Sequence, residues 1–228
     1  MDFKIVYKNS NMLKLIEKCA KICYNSKCKT NIEDVKKFIK SLVINGHESV
    51  LEHSNIIMKV ENEESDNDNK IKRYLVKIYQ NNNLINIIHD KSKSYFLCGN
   101  VRMFKDLIKI LYDKFDKTIL LEKIFVECYN NLPLEFFSDL DINDIKNRFI
   151  SSNYELKNIY DYNSEVKLIT PLSASNNIMI LNIDNLFQYK KLYDMATVTF
   201  MFECDRALSH EFVRHRRNTS ICQQSQRY

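Results

Sequence analysis

The spacing of apolar positions in the first seventy residues switches repeatedly between strand-like and helix-like periods. The predicted elements are, in order, a strand at 3–7, helices at 12–24 and 32–45, a turn or short helix at 47–53, a strand at 54–60 and an acidic, Asn-rich loop at 61–69. The apolar residues of the second helix share one face; they are Val35, Phe38, Ile39 and Val43. Thr30 and Glu33 have the spacing of a capping box before this helix, and Gly46 suits its C-terminal cap.

The middle of the chain, residues 70–195, has a mainly helical pattern and no motif that indicates chemistry. Helices are predicted at 101–115 and 118–130, a weaker one at 141–150, and a β-like stretch at 168–183 that Pro171 interrupts. Asn100 is placed to cap the first of these helices. Its inward-facing residues are predicted to be Val101, Phe104, Leu107, Ile108 and Leu111.

A strand pattern returns at 195–204, where Val198, Phe200 and Phe202 alternate with Thr197, Thr199 and Met201. Asp205 can cap a following helix, predicted at 206–216. On this helix three cationic or titratable side chains lie four residues apart and share a face; they are Arg206, His210 and Arg214.

Composition narrows the class of protein. The 228 residues are 45% hydrophobic, which is enough for a core, and the net charge of +5 is too mild and too dispersed to indicate a nucleic-acid platform. We therefore expect no nucleic acid as a partner. No apolar stretch reaches membrane-spanning length, so we expect no membrane as a partner either. The seven cysteines form no CxxC pair, which favours reduced thiols and a cytoplasmic location.

The candidate chemistry concentrates in the last fifteen residues, 214–228. Arginine and histidine alternate there with amides and hydroxyls, and no apolar period runs through the segment. Arginine offers a planar fork of donors to phosphate, and Ser, Thr and Gln can orient a ligand, so the segment suits an anionic ligand. A solvated basic helix end, favoured by the helix dipole, explains the same charges and is equally compatible with composition.

Three smaller clusters have plainer interpretations. His47 and His53 are six residues apart, so the polar turn does not have the spacing of a metal-binding helix, and no metal site is predicted. Cys23 has no visible base and is expected to be a structural thiol, whereas Cys222 lies among cationic residues that would favour its thiolate. Gly99 and Asn100 are expected to form a capped turn, which could also hold an anion.

Together these segments resemble the flavin-dependent thymidylate synthase family, whose signature is Arg-His-Arg, seven residues, Ser and then Arg-Tyr. Here Arg214-His215-Arg216 precedes Gln223-Gln224-Ser225-Gln226-Arg227-Tyr228, and the 46–53 turn and the strand and helix at 197–213 also resemble the family. The resemblance implies an α/β fold of the α+β type, with a mixed sheet, flanking helices and a mainly helical insertion. It further implies reductive methylation of dUMP to dTMP, with FAD as cofactor, NADPH and methylenetetrahydrofolate as co-substrates, and a homotetramer with shared active sites.

The resemblance also assigns residues by position. The expected flavin contacts are His47, Ser49, Arg214, His215, Arg216 and Gln223. The expected dUMP contacts are Glu211, Arg214, Gln223, Gln224, Ser225 and Arg227, with Glu211 standing where the family usually has Gln. No catalytic residue is assigned, because the arginine that polarises the uracil in the family is expected beyond Tyr228.

Three departures from the family shape the expected organisation. Eight residues rather than seven separate Arg216 from Ser225, so either one residue is inserted or His215-Arg216-Arg217 takes the place of the family triplet. The family-like parts are expected at 1–61 and 196–228, with an insertion at 62–195, and the C-terminal half of the family domain is expected to be absent. The alternative to an active enzyme is therefore an inactive or incomplete fragment that needs a complementing polypeptide.

Overall fold

A computed structural model describes residues 2–61, 85–89, 95–114, 119–149, 178–183, 197–215 and 220–224, and the single positions 73, 75, 76, 78, 80, 156, 192 and 195. Its strands are β1 (Asp2–Lys8), β2 (Asn55–Glu61), β3 (Asn86–His89), β4 (Tyr95–Asn100), β5 (Ile178–Ile183) and β6 (Val198–Phe202). Its α-helices are α1 (Met12–Cys23), α2 (Ile32–Ile44), α3 (Val101–Lys114), α4 (Ile119–Asn131), α5 (Ile142–Asn147) and α6 (Arg206–Arg214). A 3₁₀ helix at Glu48–His53, which we call the 3₁₀ turn, joins α2 to β2, and a second one lies at Leu134–Phe137.

Four strands form one sheet in the order β1-β2-β4-β3, so the protein combines helices with a small sheet, as an α+β fold does. All pairings of these strands are antiparallel, for example Met58 opposite Leu97 and Ile87 opposite Leu97. The mixed sheet that we predicted is therefore wrong for the strands that the structure describes. β3 and β4 come from the predicted insertion, and their short apolar runs gave no clear strand period. The boundaries proposed at 62–195 stay a prediction.

The core lies between one face of this sheet and the helices. Alternate β2 residues Ile56, Met58 and Val60 face the main core, whereas Ile57 joins Phe96 and Cys98 in a smaller cluster on the opposite face. The predicted inward faces of α2 and α3 are confirmed: Val35, Ile39 and Val43, and all five predicted residues of α3, are buried. Phe38 is only partly buried, but it packs against the same core. Each such side chain stabilises the fold by about 1.5–3 kcal/mol on burial.

The helix ends confirm some predicted caps and correct others. Asn100 and Asp205 cap their helices as predicted, by accepting hydrogen bonds from the backbone N–H groups of Met103 and Leu208 at 2.9 Å each. Asp141, which we predicted to lie within its helix, instead caps α5 by accepting from the Asp144 N–H at 2.9 Å. The capping box at Thr30 is wrong, because Asn31 caps α2 by accepting from the Glu33 N–H at 3.0 Å. Gly99 does not form a turn; it lies within β4, opposite Ile56.

Gly46 ends α2 as predicted, with φ of +76°. The Gly46 N–H donates to the Val43 carbonyl at 3.0 Å, and the His47 N–H donates to the Leu42 carbonyl at 2.9 Å. This pair of bonds is the Schellman arrangement, in which the left-handed residue reverses the chain without a Cβ penalty. It delivers His47 directly to the start of the 3₁₀ turn.

Strands β5 and β6 form a separate antiparallel pair that leads into α6. The strand predicted at 195–204 is confirmed at its centre, and α6 ends at Arg214, two residues before its predicted end. The predicted 61–69 loop beyond Glu61, and positions 168–177 of the β-like stretch, lie outside the described residues. Of the helices in the described ranges, none has the length and apolar character needed to cross a membrane.

Candidate functional site

Residues 220–224, which we call the 220–224 segment, lie against the 3₁₀ turn. The Ser220 hydroxyl donates to the Glu52 carbonyl at 3.0 Å, and the Cys222 Sγ lies 3.1 Å from the Nε2 of His53. These contacts join positions about 170 residues apart in the chain. Two of the sequence clusters, the polar turn and the polar end of the chain, therefore meet in the fold.

The same segment also contacts helix α6. The Gln223 Nε2 donates to the Ser209 hydroxyl at 2.6 Å, and this hydroxyl donates in turn to the Arg206 carbonyl at 3.0 Å. Gln223 is half-buried, whereas Gln224 beside it is exposed. The bond ties the segment to the helix whose end carries Arg214 and His215.

A network of four charged side chains, of which Lys105 is buried and the other three are partly exposed, connects the 3₁₀ turn to α3. The Glu48 Oε1 accepts from the ammonium groups of Lys105 and Lys109, both at 2.8 Å, and Asp139 binds the same two ammonium groups at 2.5 and 2.7 Å. Burial by itself raises the pKa of Asp139, but its hydrogen bonds to the two lysines outweigh this, and the net pKa is lowered. The four side chains thus form a closed ring of alternating charge between the turn and α3.

A second ion pair fixes the other end of the turn. Arg102 Nη1 lies 2.5 Å from the Glu52 Oε1, and Arg102 Nε lies 3.7 Å from Asp106. Sequence reasoning missed all of these anchoring residues. The available signal was Lys105, which follows Phe104 on the apolar face of α3 and therefore had to be buried with a partner.

The anchored turn presents its two predicted ligand residues to solvent. Glu48 points into the charge ring, and Val50 and Leu51 are buried in the core. Ser49 in the turn, and His47 immediately before it, are exposed. The hydroxyl and the imidazole are thus on a fixed backbone and accessible to a ligand.

The cationic end of α6 is also exposed. Arg214, 73% exposed, is paired with Glu211 at 2.7 Å, so the carboxylate that departs from the family pattern has a cation of its own. His215 is exposed at the helix C-cap. Among the described residues, no hydrogen bond or ion pair joins Arg214 to His47 or Ser49. Three predicted contacts, Arg216, Ser225 and Arg227, lie outside the described residues.

Two cysteines beside this site, Cys23 and Cys222, have pKa values that are shifted in opposite directions. A hydrogen bond with Cys222 outweighs the effect of burial and lowers the pKa of Cys23 to about 7. The same hydrogen bond, followed by burial, raises the pKa of Cys222 well above its usual range. The raised pKa of Cys222 contradicts the expectation that its cationic neighbours would favour its thiolate.

His53 completes this group of titratable side chains. Burial lowers its pKa, and the smaller opposing effect of the Glu52 charge does not restore it. The imidazole is therefore neutral near pH 7. No set of three or more His, Cys, Asp or Glu residues within the described ranges is arranged to hold a metal ion.

Apolar side chains are exposed around α6, which buries none of its residues. The rings of Phe202 and Phe212 are in contact, with centroids 5.1 Å apart, yet Phe212 is 46% exposed. The other exposed apolar residues of β6 and α6 are Val198, Phe200, Met201 and Leu208. Exposed apolar side chains in this number on one strand and one helix are typical of a region that another protein surface covers.

A comparison with known families gives one match. The family described as thymidylate synthase complementing protein matches residues 4–64 and 160–228, which together make up more than half of the chain. The first matched range contains the 3₁₀ turn, and the second contains β6, α6 and the 220–224 segment. No curated protein matches the chain.

Proposed function

Because the chain belongs to the thymidylate synthase complementing protein family, we propose that it is a flavin-dependent thymidylate synthase. The reaction is the reductive methylation of dUMP to dTMP, with methylenetetrahydrofolate as the carbon donor and NADPH as the reductant. FAD, when bound, supplies the hydride-transfer chemistry. The residues of this chain bind and orient the three other reactants and balance their charge.

One observation carries the proposal beyond the family match. The two matched ranges meet where the 220–224 segment contacts the 3₁₀ turn, through Ser220 and Glu52 on one side and Cys222 and His53 on the other. An incidental match to two separate stretches would give no reason for them to meet. Their contact supports a single ligand site that both ranges build.

The exposed side chains have the chemistry that a flavin dinucleotide needs. Arg214 offers a cationic donor and His215 an imidazole donor for the pyrophosphate, and one guanidinium nitrogen of Arg214 already binds a carboxylate oxygen. Ser49, His47 and the Gln223 amide supply further donors and acceptors for the ring system. Arg216 stays a predicted member of this set.

The proposed dUMP contacts are Glu211, Arg214, Gln223, Gln224, Ser225 and Arg227. Gln223 is hydrogen-bonded to Ser209, and Glu211 is paired with Arg214, so three of these side chains already have a partner. The Glu211–Arg214 pair removes the repulsion that an unpaired carboxylate would exert on the nucleotide phosphate. The contributions of Ser225 and Arg227 stay predictions.

The exposed apolar surface around α6 supports the homotetramer that the family implies. Phe200, Phe202, Leu208 and Phe212 are partly exposed on a helix and strand that carry proposed ligand residues. Burial of a large apolar side chain at an interface contributes about 1.5–3 kcal/mol. A subunit interface at this surface would cover these residues and bring the ligand residues of neighbouring subunits together.

Flavin binding and substrate-dependent oxidation test the proposal together. The purified chain should bind FAD, with quenching of flavin fluorescence on titration, and should oxidise NADPH in a dUMP-dependent manner. Arg214→Gln should weaken FAD binding by about tenfold, because it removes a charge-assisted hydrogen bond. Arg206→Gln is the matched control, because Arg206 is exposed on the same helix at its other end.

Two results would count against the proposal. A chain that gains no flavin at any concentration would refute the cofactor assignment. Equal losses of affinity in R214Q and R206Q would show that only the general positive charge of α6 attracts the ligand.

A further inference from the structure

Helix α3 lies in a part of the chain that the family match does not cover. The two matched ranges leave residues 65–159 between them, and this 65–159 span contains β3, β4, α3, α4 and α5. The span packs as one body with the matched ranges, because β4 pairs with β2 and Phe104 shares one core with Met12 and Ile56. It is therefore placed to support residues of the matched ranges directly.

Three cations of α3 share one edge of the helix. Arg102, Lys105 and Lys109 follow each other at spacings of three and four residues, which places neighbours one turn apart. This edge borders the buried face of α3, so Lys105 is fully buried, whereas Arg102 and Lys109 are partly exposed. Helix α3 thus presents a row of positive charge at this edge rather than an apolar surface.

The 3₁₀ turn has two carboxylates that match this row. Glu48 is the first residue of the turn, and Glu52 follows four residues later. Glu48 binds Lys105 and Lys109, both at 2.8 Å. Glu52 binds Arg102 at 2.5 Å, so the turn runs in the opposite direction to α3. A shift of the turn by one residue along the helix would break both sets of ion pairs, and the charges therefore fix its register.

Asp139 completes the network from a third element, since it follows the 3₁₀ helix at Leu134–Phe137. It binds Lys105 at 2.5 Å and Lys109 at 2.7 Å. A buried ion pair adds little net stability compared with apolar side chains of similar volume, but a charge that loses its partner is strongly unfavourable. The network thus favours one position of the turn over all others, whatever it adds to stability.

We propose that the 65–159 span serves the flavin site by holding the 3₁₀ turn in register. Its cations Arg102, Lys105 and Lys109 are positioning residues, each of which acts through a carboxylate of the turn. The proposal rests on the proposed function, which makes Ser49 and His47 flavin contacts. Ser49 lies between the two anchored carboxylates and is exposed, so its hydroxyl is offered to a ligand from a backbone that the ion pairs fix.

Flavin titration of Lys105→Met tests the positioning role. Without the buried ammonium group Glu48 keeps only the partly exposed Lys109 of this pair, and the turn can leave its register. The apparent affinity falls in proportion to the fraction of molecules that keep the register, so we expect FAD to bind about tenfold more weakly.

Ile124→Ala is the matched control for lost stability. Ile124 is a fully buried residue of α4 in the same span, and its truncation destabilises the core without removing an ion pair. Both variants are titrated at a temperature at which circular dichroism shows them to be folded. The control should bind FAD as wild type does.

A double-mutant cycle tests whether Lys105 acts through Glu48. If it does, Glu48→Gln and Lys105→Met disrupt the same contact, and the double variant should bind FAD about as weakly as the weaker of the two single variants. Losses of affinity that multiply in the double variant would overturn this route.

Hydrogen exchange provides a readout that needs no flavin. In Lys105→Met the backbone N–H groups of the 3₁₀ turn should exchange at least about tenfold faster than in wild type, because the turn opens locally more often. In Ile124→Ala the exchange of the turn should increase no more than that of β2. Equal exchange of the turn in the two variants would overturn the anchoring by charge.

The two readouts separate failure of this inference from failure of the proposed function. A wild type that binds no FAD would refute the proposed function, and with it the service to a flavin site, whereas the exchange rates would still measure the anchoring. A wild type that binds FAD, together with a K105M variant that binds it equally well, would overturn the positioning role alone.

Discussion

Lys105 is the buried ammonium group that connects the 3₁₀ turn to helix α3, and its replacement by methionine is the most direct test of how the turn is held. The side chain is 1% exposed and binds Glu48 at 2.8 Å and Asp139 at 2.5 Å. Methionine is unbranched and fills similar space, so Lys105→Met removes the charge with little change in packing. The measured effect should therefore be mainly electrostatic.

The structure sets the expected magnitude. Removal of one partner from a buried ion pair costs about 3–5 kcal/mol, because the remaining charge is left uncompensated. Here Lys109 still binds both carboxylates, so we expect the lower end, about 3 kcal/mol. Lys109→Met should cost less, about 1 kcal/mol, because Lys109 is 33% exposed and water can replace part of its interaction.

Urea unfolding followed by circular dichroism measures both variants. With a slope of about 3 kcal/mol/M, the K105M midpoint should fall by about 1 M and the K109M midpoint by about 0.3 M. Arg214→Met is the exposed control: its pair with Glu211 has a similar distance but is open to solvent, and its midpoint should not change by more than about 0.2 M. A K105M midpoint equal to that of K109M, or within the range of the exposed control, would refute the argument that burial determines the cost.

Three further predictions follow from the same geometry. The pKa of His53 is lower in the folded protein than in the unfolded chain, so the unfolded chain binds more protons and the folded state loses stability as the pH drops through about 6.5. The urea midpoint of His53→Gln should therefore fall less between pH 7 and pH 5 than the midpoint of wild type. Equal falls in the two proteins would contradict this prediction. Gly46→Ala should lower the free energy of unfolding in urea by about 1–2 kcal/mol, and the cause should be the backbone φ of +76° alone, because no atom lies within 4 Å of the new Cβ. Gly46→Asn should lower it less. Equal losses of stability in the two variants would exclude the backbone conformation as the cause. Phe212 is 46% exposed, so Phe212→Ser should change the urea midpoint little, but it should weaken self-association at least tenfold in sedimentation experiments. A monomeric wild type, or a variant that assembles as wild type does, would contradict the proposed interface.

The elements with strong local signals could be predicted from sequence. The apolar faces of α2 and α3 repeat at helical spacing, and Asn100 and Asp205 are placed where their side chains cap the following helices. Strands β3 and β4 could not be predicted in the same way. Their residues are buried by partners up to about 40 residues away, such as Met58 opposite Leu97, and a short apolar run does not specify its partner.

The same distinction holds for the candidate site. Its exposed members, such as Ser49 and Arg214, are recognisable in sequence because polar and charged side chains do not contribute to an apolar core. Its support was not predictable, because the ring through Lys105 and Asp139 exists only when three separated segments pack together. The Thr30 cap failed for a local reason, since Asn31 is one residue nearer to the start of α2 and reaches the same N–H groups.

The contacts of the 220–224 segment determine what can move in the proposed site. Ser220 and Cys222 contact the 3₁₀ turn, and Gln223 binds α6. The 3₁₀ turn is anchored by the ion pairs of Glu48, whereas α6 buries none of its residues. The Gln223–Ser209 bond therefore connects the 220–224 segment, which contacts the anchored turn, to a weakly packed helix. Loss of that one bond should therefore leave His47 and Ser49 in place while it frees the end of α6 that carries Arg214. It follows that ligand residues on the turn are positioned by folding, and those on α6 are positioned by the segment and by whatever covers the helix.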